Sequence, residues 1–166
     1  MPVRVRPETP RDRAAIRALH AAAFARDGEA DLVERLRERA EGYLGLVAED
    51  ASGVVGHVAF SPVEVDGASG VVGLAPVGVL PGRQGEGIGS QLIRAGLEAS
   101  REAGARAAVV LGRPSYYPRF GFTPAGGFGV STVYDAPPDA FMALELVPGA
   151  LEGASGVARY HPAFVG

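Results

Sequence analysis

The chain contains no cysteine and no lysine. Without cysteine there is no disulfide framework, no thiolate nucleophile and no thiolate-held metal. Without lysine a phosphate-binding loop of the P-loop type, which ends in Lys-Ser or Lys-Thr, is excluded. A basic excess is missing too: 16 arginines stand against 19 acidic residues, for a net charge of −3. A nucleic-acid binder needs such an excess to displace counterions, so that class is set aside. No apolar run opens the chain and none is long enough to cross a bilayer, so the expectation is a soluble cytoplasmic protein with neither signal peptide nor membrane segment. What is plentiful is glycine (24) and proline (13), spread along 166 residues without a repeat. That length fits one domain, residues 1–166, with enough chain to bury a core.

One stretch organises the rest. Val71 to Leu80 is almost wholly apolar or small, the pattern of a strand buried on both faces. Gly82 to Gly89 holds four glycines in eight positions, and Ile88, Leu92, Ile93 and Leu97 then fall at helical spacing. Strand, glycine loop and helix in that order make an anion cradle: the helix start offers unpaired N–H groups and a positive dipole end, and glycines let a ligand reach the backbone. The dinucleotide fingerprint G-x-G-x-x-G does not fit, because counting from Gly85 or Gly87 puts Ser90 or Leu92 where the third glycine belongs. Gln84, Gly85, Glu86, Gly87, Ile88 and Gly89 fit the pattern Q-x-x-G-x-G instead. Within the strand, Pro76 lacks a donor and Gly78 lacks a side chain, a pairing expected only at a bulge or where strand pairing is broken.

Around this centre the chain reads as follows. Met1 to Glu8 is a short strand with one wet face, and Thr9 and Pro10 open a helix whose buried stripe is Ile16, Leu19, Ala23 and Phe24. A second helix runs from Glu29 to Ala40 on Leu32, Val33 and Leu36, and Gly42 stops it. Tyr43 to Ala48, Val54 to Val65 and the central strand are separated by turn-rich breaks, hence antiparallel neighbours. The helix after the loop feeds Ala105 to Leu111, which a helical crossover makes parallel to the central strand. Pro114 to Phe120 is a short helical turn, Phe128 to Tyr134 and Ala140 to Val147 are a closing strand pair, and 148–166 is a Gly/Pro-rich extension with one short strand at Gly156 to Tyr160.

This order, together with the Q-x-x-G-x-G loop, resembles the GNAT superfamily of N-acetyltransferases. The segments Glu29–Arg37 with Phe24, Val54–Pro62, Leu111–Phe122 and Phe141–Gly149 are similar to its YhbS-like branch. The resemblance implies a mixed α/β fold: a sheet of about six or seven strands flanked by about four helices, splayed between the central strand and the parallel strand after it. It implies acetyl-CoA as cosubstrate, its pyrophosphate on Gln84, Gly85, Glu86, Gly87, Ile88, Gly89 and Ser90, and its pantetheine on the backbone of Val77 and Val79. A pantetheine amide chain can take the place of a strand at such a gap.

The implied reaction is transfer of acetyl to a primary amine by direct attack in a ternary complex. A non-catalytic acyl-CoA-binding module, or an α/β domain with an empty loop, are the readings from other classes. Tyr117 matches Y-x-x-x-G-F with Gly121 and Phe122, the tyrosine that approaches the CoA sulfur as proton donor. The general base is left open among His57, Glu64, Glu29 and a water chain, since Gly73, Leu74 and Ala75 carry no carboxylate. Glu29 and His57 are the candidates for the acceptor side. The three histidines lack ligand spacing, so no metal is expected. Partners would be a small-molecule or protein amine, with no nucleic acid and no membrane, and a homodimer is left open.

Overall fold

The computed structural model describes residues 2–165, so the first residue of the expected N-terminal strand lies outside them. Within that range nine strands are β1 (Arg4–Pro7), β2 (Leu44–Asp50), β3 (Gly53–Asp66), β4 (Ala68–Val79), β5 (Ala107–Leu111), β6 (Thr123–Pro124), β7 (Val130–Ser131), β8 (Phe141–Glu145) and β9 (Ser155–Tyr160). The α-helices are α1 (Arg13–Phe24), α2 (Gly28–Arg39) and α3 (Ile88–Glu102). The fourth helical segment expected from the sequence is a 3-10 turn, Tyr117–Phe120.

Strand order is β1-β2-β3-β4-β5-β8-β6, with β9 beside β3 where β2 has ended. Only β4–β5 among the long pairs is parallel, the consequence of the α3 crossover. Side chains alternate along each strand, so neighbouring residues serve opposite faces. Leu46 and Ala48 of β2 and Val58 and Phe60 of β3 join Ile88, Leu92, Ile93 and Leu97 of α3 in one cluster. Val47, between two of these, packs instead against Ile16 of α1 and Val33 of α2. The sheet is thus covered by α3 on one face and by α1 and α2 on the other.

One pairing expected from the sequence changes, while the short strand expected at Gly156 to Tyr160 is present as β9. The Phe128 to Tyr134 strand does not pair with β8. A 3-10 turn takes Ala125–Phe128, only Val130–Ser131 stays extended, and it runs parallel to β9. On its side away from β5, β8 pairs with Thr123–Pro124. The apolar pattern ran on into Val133, which is 74% exposed, while Pro137 and Pro138 withhold the donors a ladder needs. The C-terminal extension is also built in: β9 pairs with β3, and Ala163 packs with Leu36 and Ala40 of α2.

Candidate active site

The middle of the sheet opens where β4 leaves β5. Val71, Val72 and Gly73 pair with Ala107, Ala108 and Val109, and no pairing with β5 continues beyond Gly73. On its other side β4 stays bonded to β3, but the pairs Phe60–Leu74 and Val58–Val77 place one extra residue in β4. That bulge holds Ala75 and Pro76, whose missing donor suits an interrupted ladder. Leu80 N–H donates to the Val55 carbonyl across β3, so by alternation the backbone groups of Val79 and Val77 point into the gap. The Gln84 side chain already donates to the Val79 carbonyl at 3.1 Å. A groove of about 650 Å³ occupies the gap, with Val77 and Val79 in its wall.

One end of the groove runs to the glycine loop. Pro81–Arg83 forms a 3-10 turn, Gly87 sits at φ 82° as the residue before α3, and Gly85 lies at φ 81°. These left-handed conformations favour glycine. Nothing lies within 4 Å of where a Cβ would stand on Gly82, Gly85 or Gly87, so the loop presents bare backbone at the helix start. Gln84, Gly85, Gly87, Ile88, Gly89 and Ser90 line a second cavity of about 350 Å³. Glu86 does not; its carboxylate turns away to Arg83 at 3.0 Å.

Three arginines, Arg83, Arg113 and Arg119, border the same cavity. Arg119 and Arg113 both lie over the Tyr116 ring, at 4.4 and 5.7 Å from its centroid. Sequence reasoning missed them, since nothing local says that residues 113–119 fold back onto residues 82–90. Tyr116 ties the two segments together through a 2.8 Å hydrogen bond with the Ser90 hydroxyl.

Tyr117 begins the 3-10 turn and lines the groove. Only 8% of it is exposed, and its ring lies where a Cβ on Gly112 would stand. Burial, with Tyr116 beside it, pushes the phenol up to about 12. It is protonated at neutral pH, and its hydroxyl has no protein partner among the described residues.

The other end of the groove is walled by Phe24 of α1 and by Leu32 and Glu29 of α2. Arg26 grips Glu29 with two hydrogen bonds, 2.9 and 2.5 Å, and holds its carboxyl below the usual range. His57, expected on this side, does not reach the groove. It is fully buried between β3 and α1, with both ring nitrogens engaged: Nδ1 to His20 Nε2 at 2.8 Å and Nε2 to Glu8 Oε1 at 2.9 Å. The register explains it, because His57 lies opposite Gly78 and points toward α1, one residue off the groove-lining positions Val77 and Val79. Glu64 is also misplaced as a base: it sits exposed at the far end of β3, 3.6 Å from Arg159.

The His57 partners form a buried polar group that the sequence did not announce. Tyr43 donates to Glu8 at 2.5 Å and Arg37 donates to it at 2.7 Å. Burial alone would raise the Glu8 carboxyl, but hydrogen bonds from His57 and Tyr43 outweigh it and hold it at about 2. Burial, reinforced by the His57 ring, pushes His20 down to about 3, and burial lowers His57 despite Glu8. A histidine on the buried stripe one position past Leu19 was the only available signal. Among the described residues no group of three or more His, Cys, Asp or Glu side chains could hold a metal ion, and no helix is long and apolar enough to cross a membrane.

Comparison with known proteins bears on this geometry. Residues 4–125 match the family described as acetyltransferase (GNAT) domain. The chain is 41% identical over 162 residues to the uncharacterized N-acetyltransferase YhbS of Escherichia coli strain K12, covering 96% of this chain and 97% of the relative. It superposes on the crystal structure of E. coli YhbS in complex with CoA at a TM-score of 0.91, with 40% identity over 99% of this chain and 92% of that one. A GNAT family acetyltransferase from Brucella melitensis in complex with acetyl-CoA gives 0.81, with 43% identity over 98% of each chain.

Proposed function

The chain belongs to the GNAT family of acetyltransferases, and from that premise we propose that it moves an acetyl group from acetyl-CoA to a primary amine by direct attack in a ternary complex. The observation that carries the reading is the open side of β4. The bulge at Pro76 frees the backbone of Val77 and Val79 beside a continuous groove, and the bare glycine turn lies at the end of that groove. These residues fit the cosubstrate part by part. Val77 and the Val79 N–H would pair with the pantetheine amides as a neighbouring strand would. Gln84 to Ser90 would hold the pyrophosphate on the backbone N–H groups at the start of α3, with Arg113 and Arg119 supplying the counter-charge the loop lacks. CoA and acetyl-CoA, the ligands of the two similar crystal structures, support the choice of cosubstrate.

The bound thioester would supply an activated acyl carbon and a stable leaving group. The chain's own residues do the rest. Phe24, Leu32, Leu74 and Leu111 exclude water from the groove. Tyr117, protonated and without a protein partner, would donate its proton to the departing thiolate, and the proton shed by the attacking nitrogen would restore the phenol. The groove's lining supports direct attack: among the described residues it has no thiol and no serine, and His57 is bonded at both nitrogens elsewhere.

The test is thiol release from acetyl-CoA across an amine library. Tyr117→Phe is expected to lower kcat by at least about tenfold while KM for acetyl-CoA hardly moves, since the ring stays packed. Tyr116→Phe controls for disturbance of the turn. Gly89→Glu, at a position without a positive φ, should abolish CoA binding in calorimetry by placing a carboxylate in the cradle without backbone strain. CoA binding with no thiol release on any amine would leave a binding module; unaltered CoA affinity in Gly89→Glu would put the cradle elsewhere.

A further inference from the structure

We propose that Glu29 is the specificity residue for a second positive charge on the acceptor, that the preferred acceptors are therefore small primary amines bearing a further ammonium or guanidinium group, and that Arg26 pairs with this carboxylate from outside the groove in the free enzyme. The proposal rests on the transferase reading above and concerns the end of the groove that the cosubstrate leaves open. Among the described residues lining the groove only Glu29 and Arg113 carry charge. Arg113 is shared with the glycine-loop cavity, whereas Glu29, Phe24 and Leu32 are not. The acceptor end is thus apolar with one carboxylate.

That carboxylate needs a cation. Its side chain is only 17% exposed, and its neighbours Phe24 and Leu32 offer it nothing to replace water. Arg26 meets the need from outside: its side chain is 70% exposed and does not line the groove. It follows Ala25, whose left-handed φ of 55° ends α1 and lifts the chain toward α2. The Arg26 end of the pair is exposed, so water takes over the guanidinium when it leaves Glu29. A substrate cation entering along the groove can replace the Arg26 guanidinium, and Glu29 stays paired throughout. The two-pronged contact of Arg26, 2.9 and 2.5 Å, shows that the carboxylate accepts a planar guanidinium as well as a point charge could be accepted.

The cation at Glu29 is not the nucleophile. Attack requires a neutral nitrogen with a free lone pair, and a carboxylate held low by a salt bridge takes no proton from its partner. One nitrogen of the acceptor therefore sits ionised at Glu29 while another, carried on an apolar spacer past Phe24 and Leu32, meets the acyl carbon.

Steady-state kinetics on matched acceptors decides it: an alkyl diamine, an aminoalkyl guanidine, a monoamine of equal length and an amine ending in a carboxylate. The dications should show kcat/KM at least about tenfold above the monoamine, with the carboxylate poorest. Glu29→Gln should collapse that ratio toward one through KM for the dications. Arg26→Ala should lower KM for the dications by about threefold or more, the reverse of what loss of a merely structural ion pair would do. Equal use of monoamine and dication by the parent enzyme, or a ratio that survives Glu29→Gln, overturns the proposal. If no amine is acetylated, the transferase reading fails on its own, and calorimetry of the diamine with the CoA-loaded protein still judges the subsite. Binding lost in Glu29→Gln supports it, and no binding to the parent sinks it.

Discussion

On the α3 side of the sheet, Val58 and Phe60 of β3 meet Leu92, Ile93 and Leu97 in an apolar layer with Tyr116 and Tyr117 packed into it. On the α1–α2 side the next residue of the same strand, His57, joins His20, Glu8, Tyr43 and Arg37 in a chain of hydrogen bonds. One residue's shift along β3 separates the two environments. The apolar face gains its stability from area removed from water and does not care which rotamer partner faces which. The polar face gains little net energy, because each bond replaces one made to water, yet it dictates geometry. Glu8 is ionised and can only accept, so His57 must carry its proton on Nε2 and accept on Nδ1. His20 must then donate from Nε2, which leaves its Nδ1 lone pair without a partner, pressed against Gly78 of β4. The polar face therefore braces β4 between Val77 and Val79, where it parts from β5. Bulk stability and placement of the site are assigned to different faces of one sheet.

The largest expected effect tests the apolar side. Leu92 is fully buried in the α3 cluster, and Leu92→Ala should cost about 2–5 kcal/mol. Because Leu92 packs among aliphatic and aromatic side chains, urea denaturation should return the same loss at pH 8 and at pH 5. A loss that changes strongly with pH would mean that the two faces are not independent.

Next comes acid sensitivity, which belongs to the other side. His20 is held near 3 in the folded protein against an ordinary 6.5, so below pH 6.5 the unfolded chain takes a proton that the native state refuses. Stability is complete above about pH 6.5 and is lost as the pH falls toward 3, by up to about 3 kcal/mol at pH 4 from this ring alone. His57 acts in the same direction, and Glu8 adds to the loss between about 4.5 and 2. His20→Leu should cost about 1–3 kcal/mol at pH 8, by stranding His57 Nδ1, yet show a shallower decline on acidification. A slope identical to the parent's would place the acid-sensitive groups elsewhere.

How much of this was legible follows from how local each feature is. The glycine turn, the α3 stripe beginning at Ile88 and the Pro76–Gly78 interruption are each encoded within about ten residues. All appear in the structure where the sequence put them. Glu29 could be named only through the family resemblance, which puts the start of the second helix near the acceptor, and its pairing with Arg26 could not be named at all. His20 and Glu8 lie 37 and 49 residues from His57, and a lone histidine in a strand carries no sign of either. The same limit misled the pairing of residues 128–134: alternation identifies an extended segment but not which edge receives it. Arg83, Arg113 and Arg119 meet only because the Tyr117 turn folds over the loop.

The smallest effect sharpens the comparison most, because it uses two glycines on opposite faces. Gly56 and Gly78 lie on adjacent strands, in the consecutive register pairs Gly56–Val79 and His57–Gly78. A Cβ on Gly56 would come 2.9 Å from Leu92 Cδ1 and 3.1 Å from Ile88 Cγ2, the movable tips of aliphatic side chains. One on Gly78 would come 2.7 Å from His20 Nδ1 and 3.0 Å from His20 Cε1, a ring fixed through His57 and Glu8. The aliphatic tips can turn aside; the ring can yield only by breaking its bond or pushing β4. Gly78→Ala should therefore cost about 1–3 kcal/mol and also weaken CoA binding, since the displaced strand carries Val77 and Val79. Gly56→Ala should cost less and leave CoA affinity near that of the parent. Removing the ring closes the cycle: in the His20→Ala background Gly78→Ala should lose most of its effect on both measurements, a coupling of at least about 0.5 kcal/mol. Additive losses, read by urea denaturation and calorimetry at pH 8, would show that His20 does not seat the strand. Equal effects of the two glycines on CoA binding would show that either face positions it alike.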